Sequence, residues 1–582
     1  MSESHKDKNY LNHETTIWSW LTTIDHKRIA LMYLFAMTFF FFVGGISALL
    51  VRTELFSAGA DFLNAKQYNM LFTIHGAVMV FLFIVPGIPA IMGNFLIPLM
   101  IGAKDVAFPR LNLLSYYIYL LGAFMALLAL IGPSWGDILS GIFANIGLEG
   151  LSQTVKNVNN FLFNNFGGFF DKVGLTGPVD TGWTFYAPYS LGDEAGGTTS
   201  GVIWMTGAAF VLGFSSILTG LNFIVTIHKL RAPGMTWWRL PVFIWASYAT
   251  AIIQTLATPI VGISLLLLIM EQAFGVGIFN PKMGGDPVLF EHLFWFYSHP
   301  VVYIMVLPAF GVIGEIIPVF SRKPIFGYKM VCLASLGIAI IGFVVWAHHM
   351  FVSGISDTAA YIFSFLTFFV AVPTAIKVFN WVSTMYRGSI SFRTPMLYAM
   401  AFVFLFMIAG TTGIYLATLA VDVFYHDTYF VVAHFHYTMQ GGAVIGLIAA
   451  LHFWFPKITG KMYSELSANI GFIFIFIGFN LTFLPQFVLG MQGMPRRYFD
   501  YPVEFEFLHS VSTVGSYLNA FGYSFALFNL LYFAVFGKTK ASDNPYESLS
   551  LEWKTKSPPI HENFSQEIIV TDWTYGYGKK EG

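Results

Sequence analysis

Apolar stretches of about 20 residues recur along nearly the whole chain, and no other feature restricts its fold as much. In lipid every backbone N–H and C=O must find a partner within the segment, which leaves the α-helix as the spanning form for such runs. Twelve runs fit, at approximately 29–51, 69–100, 111–133, 201–227, 241–270, 290–318, 328–353, 360–384, 395–420, 429–455, 468–490 and 510–536. The expected fold is therefore all-α, a polytopic membrane protein of about twelve transmembrane helices. It divides into an N-terminal segment at 1–28, a helical domain at 29–536 and a polar tail at 537–582. A long connection at 136–200, rich in Gly and Asn, reads as an outer-surface cap with a short amphipathic helix near 151–163. Composition agrees: 56% of residues are hydrophobic and 10% charged, and 63 phenylalanines exceed what a soluble core of this length would hold. The net charge of −1, with no basic patch, gives no sign of nucleic-acid binding.

Alternate loops are basic. Lys27 and Arg28 precede the first helix, and Lys104, Arg110, Lys229, Arg231, Arg239, Arg322, Lys323, Lys329, Arg387, Arg393, Lys457, Lys461, Lys538 and Lys540 follow the even-numbered ones. The positive-inside rule then places both termini in the cytoplasm. The segment Met1–Thr16 is polar and lacks the apolar core of a cleavable signal, so no processed peptide is expected. Arg496 and Arg497 break the trend on the outer side and ask for an anionic partner.

With this orientation, His75, His299, His348, His349, His434 and His436, from four of the twelve runs, share the outer part of the membrane. Packing histidines have no reason to align in depth, and an imidazole in hydrocarbon is costly unless paired or ligated. His434 and His436 are two apart, so on a helix they point about 200° away from each other and serve two different acceptors. His75 and His436 can hold one haem iron from both axial sides. His434 can hold a second haem from one side, leaving a position open for a ligand such as O2. His299, His348 and His349 suit copper. The single cysteine, Cys332, excludes an intrachain disulfide, a Cys-x-x-Cys-His haem attachment and a paired-thiolate metal site.

Tyr303 lies four residues after His299, on the same helix face, where a phenol can supply both an electron and a proton. Lys377, with Thr374 beside it, sits inside the eighth run, and an intramembrane lysine is expensive unless it works. Asp105, near Asn94 and Asn112, reads as a hydrated proton entrance. His426 and Asp427 can ligate a hard divalent ion. Arg496 and Arg497 are placed to pair with haem propionates.

The segments Trp346-Ala347-His348-His349-Met350, Val432-Ala433-His434-Phe435-His436-Tyr437, Met494-Pro495-Arg496-Arg497-Tyr498 and the one around Lys377 occur in the order found in one family. From about Ile24 to Phe536 the chain resembles subunit I of the haem–copper oxygen reductases of the cytochrome c oxidase type. That resemblance implies a proton-pumping terminal oxidase that reduces O2 to water. It implies His75 and His436 on a low-spin haem, His434 on a high-spin haem, copper on His299, His348 and His349, and a cross-link between Tyr303 and His299. Arg52 resembles the arginine at the low-spin haem's formyl group, which favours haem A. Trp183 resembles a tryptophan near its propionates, and His426 and Asp427 match a magnesium site. Partners so implied are a subunit II with the donor-side copper centre, subunit III-like chains, and cytochrome c or a cytochrome c domain, within a supercomplex in some members. The location implied is a bacterial inner membrane.

One departure stands out. Many members carry a glutamate two residues after the sixth-helix histidine, and here that position is Val301. Tyr297-Ser298, just before His299, resembles a subgroup that uses a Tyr-Ser pair instead, so the Asp105 path would end on Tyr297, Ser298 and water. The alternatives are a quinol oxidase of the same superfamily, a nitric oxide reductase relative, and a non-catalytic haem membrane protein.

Overall fold

The computed structural model describes residues 8–59, 62–131, 135–145, 147–172, 179–192 and 199–578. Eleven helices are long and apolar enough to cross a membrane, and a shorter apolar helix makes the twelfth. They are α1 (His26–Glu54), α2 (Ala65–Ile101), α3 (Pro109–Leu130), α4 (Ser200–Lys229), α5 (Val242–Phe274), α6 (Pro287–Ser321), α7 (Tyr328–Gly342), α8 (Asp357–Met385), α9 (Thr394–Ala417), α10 (Tyr429–Thr459), α11 (Glu465–Met491) and α12 (Val503–Phe536). Among the described residues the only β pairing is two isolated bridges, Thr428 with Pro495 and Lys461 with Lys540.

Short polar residues start these helices by accepting from the first free backbone N–H groups. Asp25 accepts from Lys27 N, Asp286 from Val288 N, Thr428 from Phe430 N, and Asn64 forms a reciprocal capping box with Gln67. Gly102, Gly275 and Gly460 end α2, α5 and α10 in the left-handed conformation that a side chain would resist.

The layering follows from which helices face other helices. The central window of α10 is wholly enclosed and that of α6 nearly so, whereas α1 and α8 turn most of theirs outward. A helix apolar on all sides with no protein around it needs lipid around it. The two enclosed helices, together with α2, carry four of the six candidate ligand histidines.

Three details depart from the expected pattern. The seventh run does not stay helical to 353: α7 ends at Gly342, and Trp346–Met350 form a separate 3₁₀ turn. His348 and His349 both lie on that turn, with ring centroids 4.3 Å apart. The connection at 136–200 holds two helices, Trp135–Asn145 and Glu149–Lys172, so the amphipathic helix there is longer than expected; residues 173–178 and 193–198 lie outside the described set. Finally, the tail packs on its own chain. Trp553 and Tyr575 are buried, Tyr575 donates to Glu315 Oε1 of α6 at 2.6 Å, and Val570 N bonds Pro233 O at 2.8 Å. Tyr10 N also bonds Pro559 O at 3.1 Å, so the described N-terminal and C-terminal segments meet on one face of the bundle.

Candidate haem and copper centre

The six histidines converge on one cavity of about 1090 Å³. His75 and His436 face each other with ring centroids 6.2 Å apart and planes within 9° of parallel. An imidazole nitrogen binds a metal at about 2.0–2.1 Å, so two rings on opposite sides of one ion stand roughly 6 Å apart by centroid. Each ring is oriented through Nδ1, His75 to Gly44 O at 2.9 Å and His436 to Val432 O at 2.8 Å. That leaves Nε2 of both pointing into the gap, the arrangement a bis-imidazole iron requires. A Cβ at Gly44 would press on Met79, and one at Gly76 would press on Trp183, which covers that part of α2.

His434 points the other way from α10, as its spacing from His436 demands. Its Nδ1 pairs with Thr412 Oγ1 of α9 at 3.0 Å, and its Cε1 lies 3.0 Å from where a Cβ on Gly413 would sit. Its Nε2 is left toward the cavity it lines. The π-helical turn Met439–Val444 follows directly, with another at Val78–Ile84 after His75; such turns shift the register of a helix face and recur near functional sites.

His299, His348 and His349 form the third group. One ligand nitrogen from each lies within 4.8 Å of the others. His299 Nδ1 is 3.2 Å from His349 Nε2, and His348 Nδ1 pairs with Thr367 Oγ1 at 3.1 Å. The other nitrogen of His299, Nε2, is buried with no partner. Three imidazoles converging on one point, one with an orphaned buried nitrogen, fit a copper ion and are hard to account for by packing. Tyr303 stands beside them, its ring centroid 4.8 Å from that of His299. Gly342 makes room for it, since a Cβ there would meet Tyr303 Cδ2 at 2.7 Å. Trp295, which sequence reasoning missed, stacks on His349 at 3.8 Å and 8°; only its place one turn before His299 could have signalled it.

The far end of the cavity is polar. The bridge from Thr428 to Pro495 ties the loop before α10 to the arginine pair, with Arg496 N on Asp427 O at 2.8 Å and Arg496 in an ion pair with Asp427. Burial opposes the charge on Asp427, but Arg496, His426 and Arg497 outweigh it and hold its carboxyl below the usual range. Burial lowers the Arg497 guanidinium to about 10, helped by its neighbour Arg496. His426 turns its Nδ1 to Asp422 at 2.8 Å, leaving Nε2 free. Arg52 spends Nη2 on His509 O and Thr513 Oγ1, at 2.7 and 3.0 Å, while its Nε has no partner. Trp183, Arg52, Arg496, Arg497, His426 and Asp427 all line the same cavity.

Two polar tracks approach from the face that carries the termini. Lys377 is fully buried and does not snorkel; its Nζ donates to Ser335 Oγ at 2.7 Å and Val331 O at 3.1 Å. Thr374, one turn on, lines the cavity itself. On the second track, burial raises the Asp105 carboxyl to about 7, although Val106 N donates to it. Asn94 Oδ1 and both side-chain polar atoms of Asn112 are buried without partners. Beyond them Ser115, Tyr33 and Ser215 form a hydrogen-bonded cluster, with Tyr33 Oη 3.1 and 3.3 Å from the two hydroxyls. The sequence reading missed this cluster because single hydroxyls inside apolar helices are common; its Tyr33 and Ser215 line a cavity of about 40 Å³. That is room for two or three waters by the usual requirement of about 10–15 Å³ each. Its wall includes Thr258, Gln254 and Tyr297. Ser298 Oγ is buried and unpartnered next to His299.

The chain is similar to known proteins along nearly its whole length. The family model described as cytochrome c and quinol oxidase polypeptide I matches residues 28–518. Cytochrome c oxidase subunit 1 of Thermostichus vulcanus is 40% identical over 565 residues, 96% of this chain and 94% of the relative. The subunit 1 of Bacillus subtilis is 40% identical over 556 residues, covering 95% and 82%. A haem–copper terminal oxidase dimer solved by cryo-electron microscopy shares the fold, with a TM-score of 0.70, 19% identity and 96% coverage of both chains. By the extent of the family match and the near-complete coverage of these relatives, the chain belongs to the cytochrome c and quinol oxidase polypeptide I family.

Proposed function

We propose that this chain is the catalytic subunit of a proton-pumping cytochrome c oxidase. One observation carries the reading: a parallel imidazole pair set for a closed six-coordinate iron and a three-imidazole cluster line the same cavity as His434. Two haems and a copper ion would supply electron transfer and the activation and reduction of O2 to water. His75 and His436 would hold the low-spin haem, His434 the high-spin haem, and His299, His348 and His349 the copper.

The remaining work falls to the chain's own groups. Gly44 O, Val432 O, Thr412 and Thr367 fix the ring orientations. The Tyr303 phenol, beside His299, is placed to give a proton and an electron at the open end of the site, and its closeness to that ring supports the cross-link. Lys377 holds a proton between Ser335 and the cavity wall at Thr374. Asp105 collects protons for the second track, and the water-sized cavity leads them to Tyr297 and Ser298, which take the place of the absent glutamate at Val301. Arg496 and Arg497 carry charge suited to propionates, with Trp183 alongside. The unpaired Nε of Arg52 suits a formyl oxygen and hence haem A. The outward Nε2 of His426 and the carboxylate of Asp427 suit Mg2+.

The basic loops support termini on the cytoplasmic side of a bacterial inner membrane. A subunit II with the donor-side copper centre, subunit III-like chains and cytochrome c complete the electron route, within a supercomplex where one forms.

Metal content, with reduced-minus-oxidised and carbon monoxide difference spectra of the purified complex, tests the assignment. The expected result is two haems per chain, one of them binding carbon monoxide, and one copper in this subunit. Loss of the copper, or of the carbon monoxide response, in otherwise folded protein would overturn it. Band positions separate haem A from haems B and O, and reduced cytochrome c against quinol as donor separates the two oxidase types.

A further inference from the structure

His509, near the start of α12, takes no part in the haem, copper or proton assignments, yet it is fully buried. It meets Arg52 of α1 at two points. Its carbonyl accepts from Arg52 Nη2 at 2.7 Å, and its ring Nδ1 lies 3.4 Å from Arg52 Nη1. A guanidinium only donates, so Nδ1 is the acceptor and the ring carries its hydrogen on Nε2. That second nitrogen is buried without a partner, so the polar engagement of the ring is with Arg52.

The ring is clamped in place. Tyr501 stacks on it with centroids 4.2 Å apart and planes at 28°, and Tyr429 meets it edge-on at 5.2 Å. Tyr501 is itself tied to the end of α1, its hydroxyl donating to Leu55 O at 3.0 Å. One turn along α12, Thr513 Oγ1 accepts from Arg52 Nη2 at 3.0 Å and donates to Arg52 O at 2.9 Å.

This shell holds Arg52 without neutralising it. The partners are an imidazole, a carbonyl, a hydroxyl and the phenol of Tyr429, none of which carries negative charge at neutral pH. Glu54, two residues along α1, faces the other side of that helix, where Phe62 N and Leu63 N donate to its Oε2. Arg52 lines the cavity that His75 and His436 share.

We propose that His509 is a positioning residue for the low-spin haem: it pins the Arg52 guanidinium at the cavity edge as an uncompensated charge and so raises the reduction potential of that haem. The inference rests on the reading that sets the low-spin haem between His75 and His436, beside Arg52. A positive charge near an iron favours the state with the extra electron, and a buried site screens that charge weakly. A neutral ring suits this task where a carboxylate would not, since a carboxylate would orient the arginine and cancel its charge. His509 exchanges neither proton nor electron; it acts through Arg52.

Spectroelectrochemical titration of the purified complex under carbon monoxide reads the low-spin haem alone, because the ligand holds the other haem reduced. His509→Gln offers a side-chain oxygen as acceptor and should titrate like the parent. His509→Leu removes the acceptor and should make the haem about threefold to tenfold harder to reduce at a given potential, a shift of up to about 59 mV for one electron. His509→Asp sets a carboxylate beside the guanidinium and should shift the potential further in the same direction. Should His509→Leu fail to assemble, His509→Asp, which keeps a partner for Arg52, carries the test. Haem and copper content confirm assembly of each variant. A parent-like potential in assembled His509→Leu or His509→Asp would overturn the proposal. So would a shift in His509→Gln equal to that in His509→Leu, which would mean that ring shape and not the hydrogen bond matters. Arg52→Leu separates the two readings. If it shifts the potential while the His509 variants do not, this inference alone fails; if it too titrates like the parent, the reading that sets the low-spin haem beside Arg52 fails.

Discussion

Tyr303 and Lys377 are the two side chains whose chemistry is least replaceable and whose packing is simplest to preserve. Tyr303→Phe keeps the ring that Gly342 accommodates and removes only the hydroxyl. It should leave the haem spectra intact and lower oxygen consumption by about 100-fold or more, the usual scale for a lost proton donor. Lys377→Met keeps the length of the stem and discards a buried ammonium that Ser335 and Val331 must solvate. Removing such a group for an apolar one of similar volume is often neutral for stability, so the protein should assemble. Turnover with saturating donor should nonetheless drop by about two orders of magnitude. Both are read by oxygen uptake normalised to haem content. At this scale the sequence was informative because the chemistry lies in rare residue types. The six ligand histidines and Lys377 are conspicuous inside apolar runs, whereas Ser115, Ser215 and Thr258 are not, since hydroxyls in apolar helices usually bond their own backbone.

Helix packing shows what period alone does not carry. α11 and α12 pass so closely that a Cβ on Gly478 would lie 2.4 Å from Asn519 N, and one on Gly515 would lie 2.4 Å from Thr482 N. These are backbone atoms, which cannot swing aside. Gly515→Ala should therefore push the helices apart and cost about 1–3 kcal/mol, the scale of an overpacked core, whereas Gly150→Ala, exposed and with nothing within 4 Å, should cost little. Thermal unfolding of the purified complex, followed through haem absorbance, measures the difference. Close small-residue crossings are expected in membranes, where helices gain by approach. Which glycines make them is set by partners far away in sequence. The π turns after His75 and His436 and the 3₁₀ turn at Trp346–Met350 were hidden for the same reason: hydrophobic runs fix helix existence, not helix register.

The tail joins parts of the molecule that its composition does not suggest. Its Ser, Pro, Lys and Glu residues read as a polar tail, yet Tyr546, Leu551, Trp553 and Tyr575 are interspersed and become buried against the bundle. Polar tails are judged by average composition, and a few aromatic anchors at the right spacing outweigh that average. The hold on the tail should depend on pH through the His561–Asp25 contact. The docked state raises the pKa of His561 through that hydrogen bond, so docking is favoured while the ring is charged. The contribution is complete below the ordinary histidine value of about 6.5 and is lost as pH rises through the higher docked value. Asp25 works in the opposite sense: held below its ordinary range, it contributes above that range and loses its contribution only in acid. Tail docking should thus be tightest between the two limits and loosen toward alkaline pH. Because His561 is half exposed, solvent screens the pair and the change should be modest. Limited proteolysis of the complex checks it: cleavage in the tail should quicken from about pH 6 to 9, and Asp25→Asn should flatten that dependence. A cleavage rate that rises equally in parent and variant would place the pH response elsewhere in the bundle.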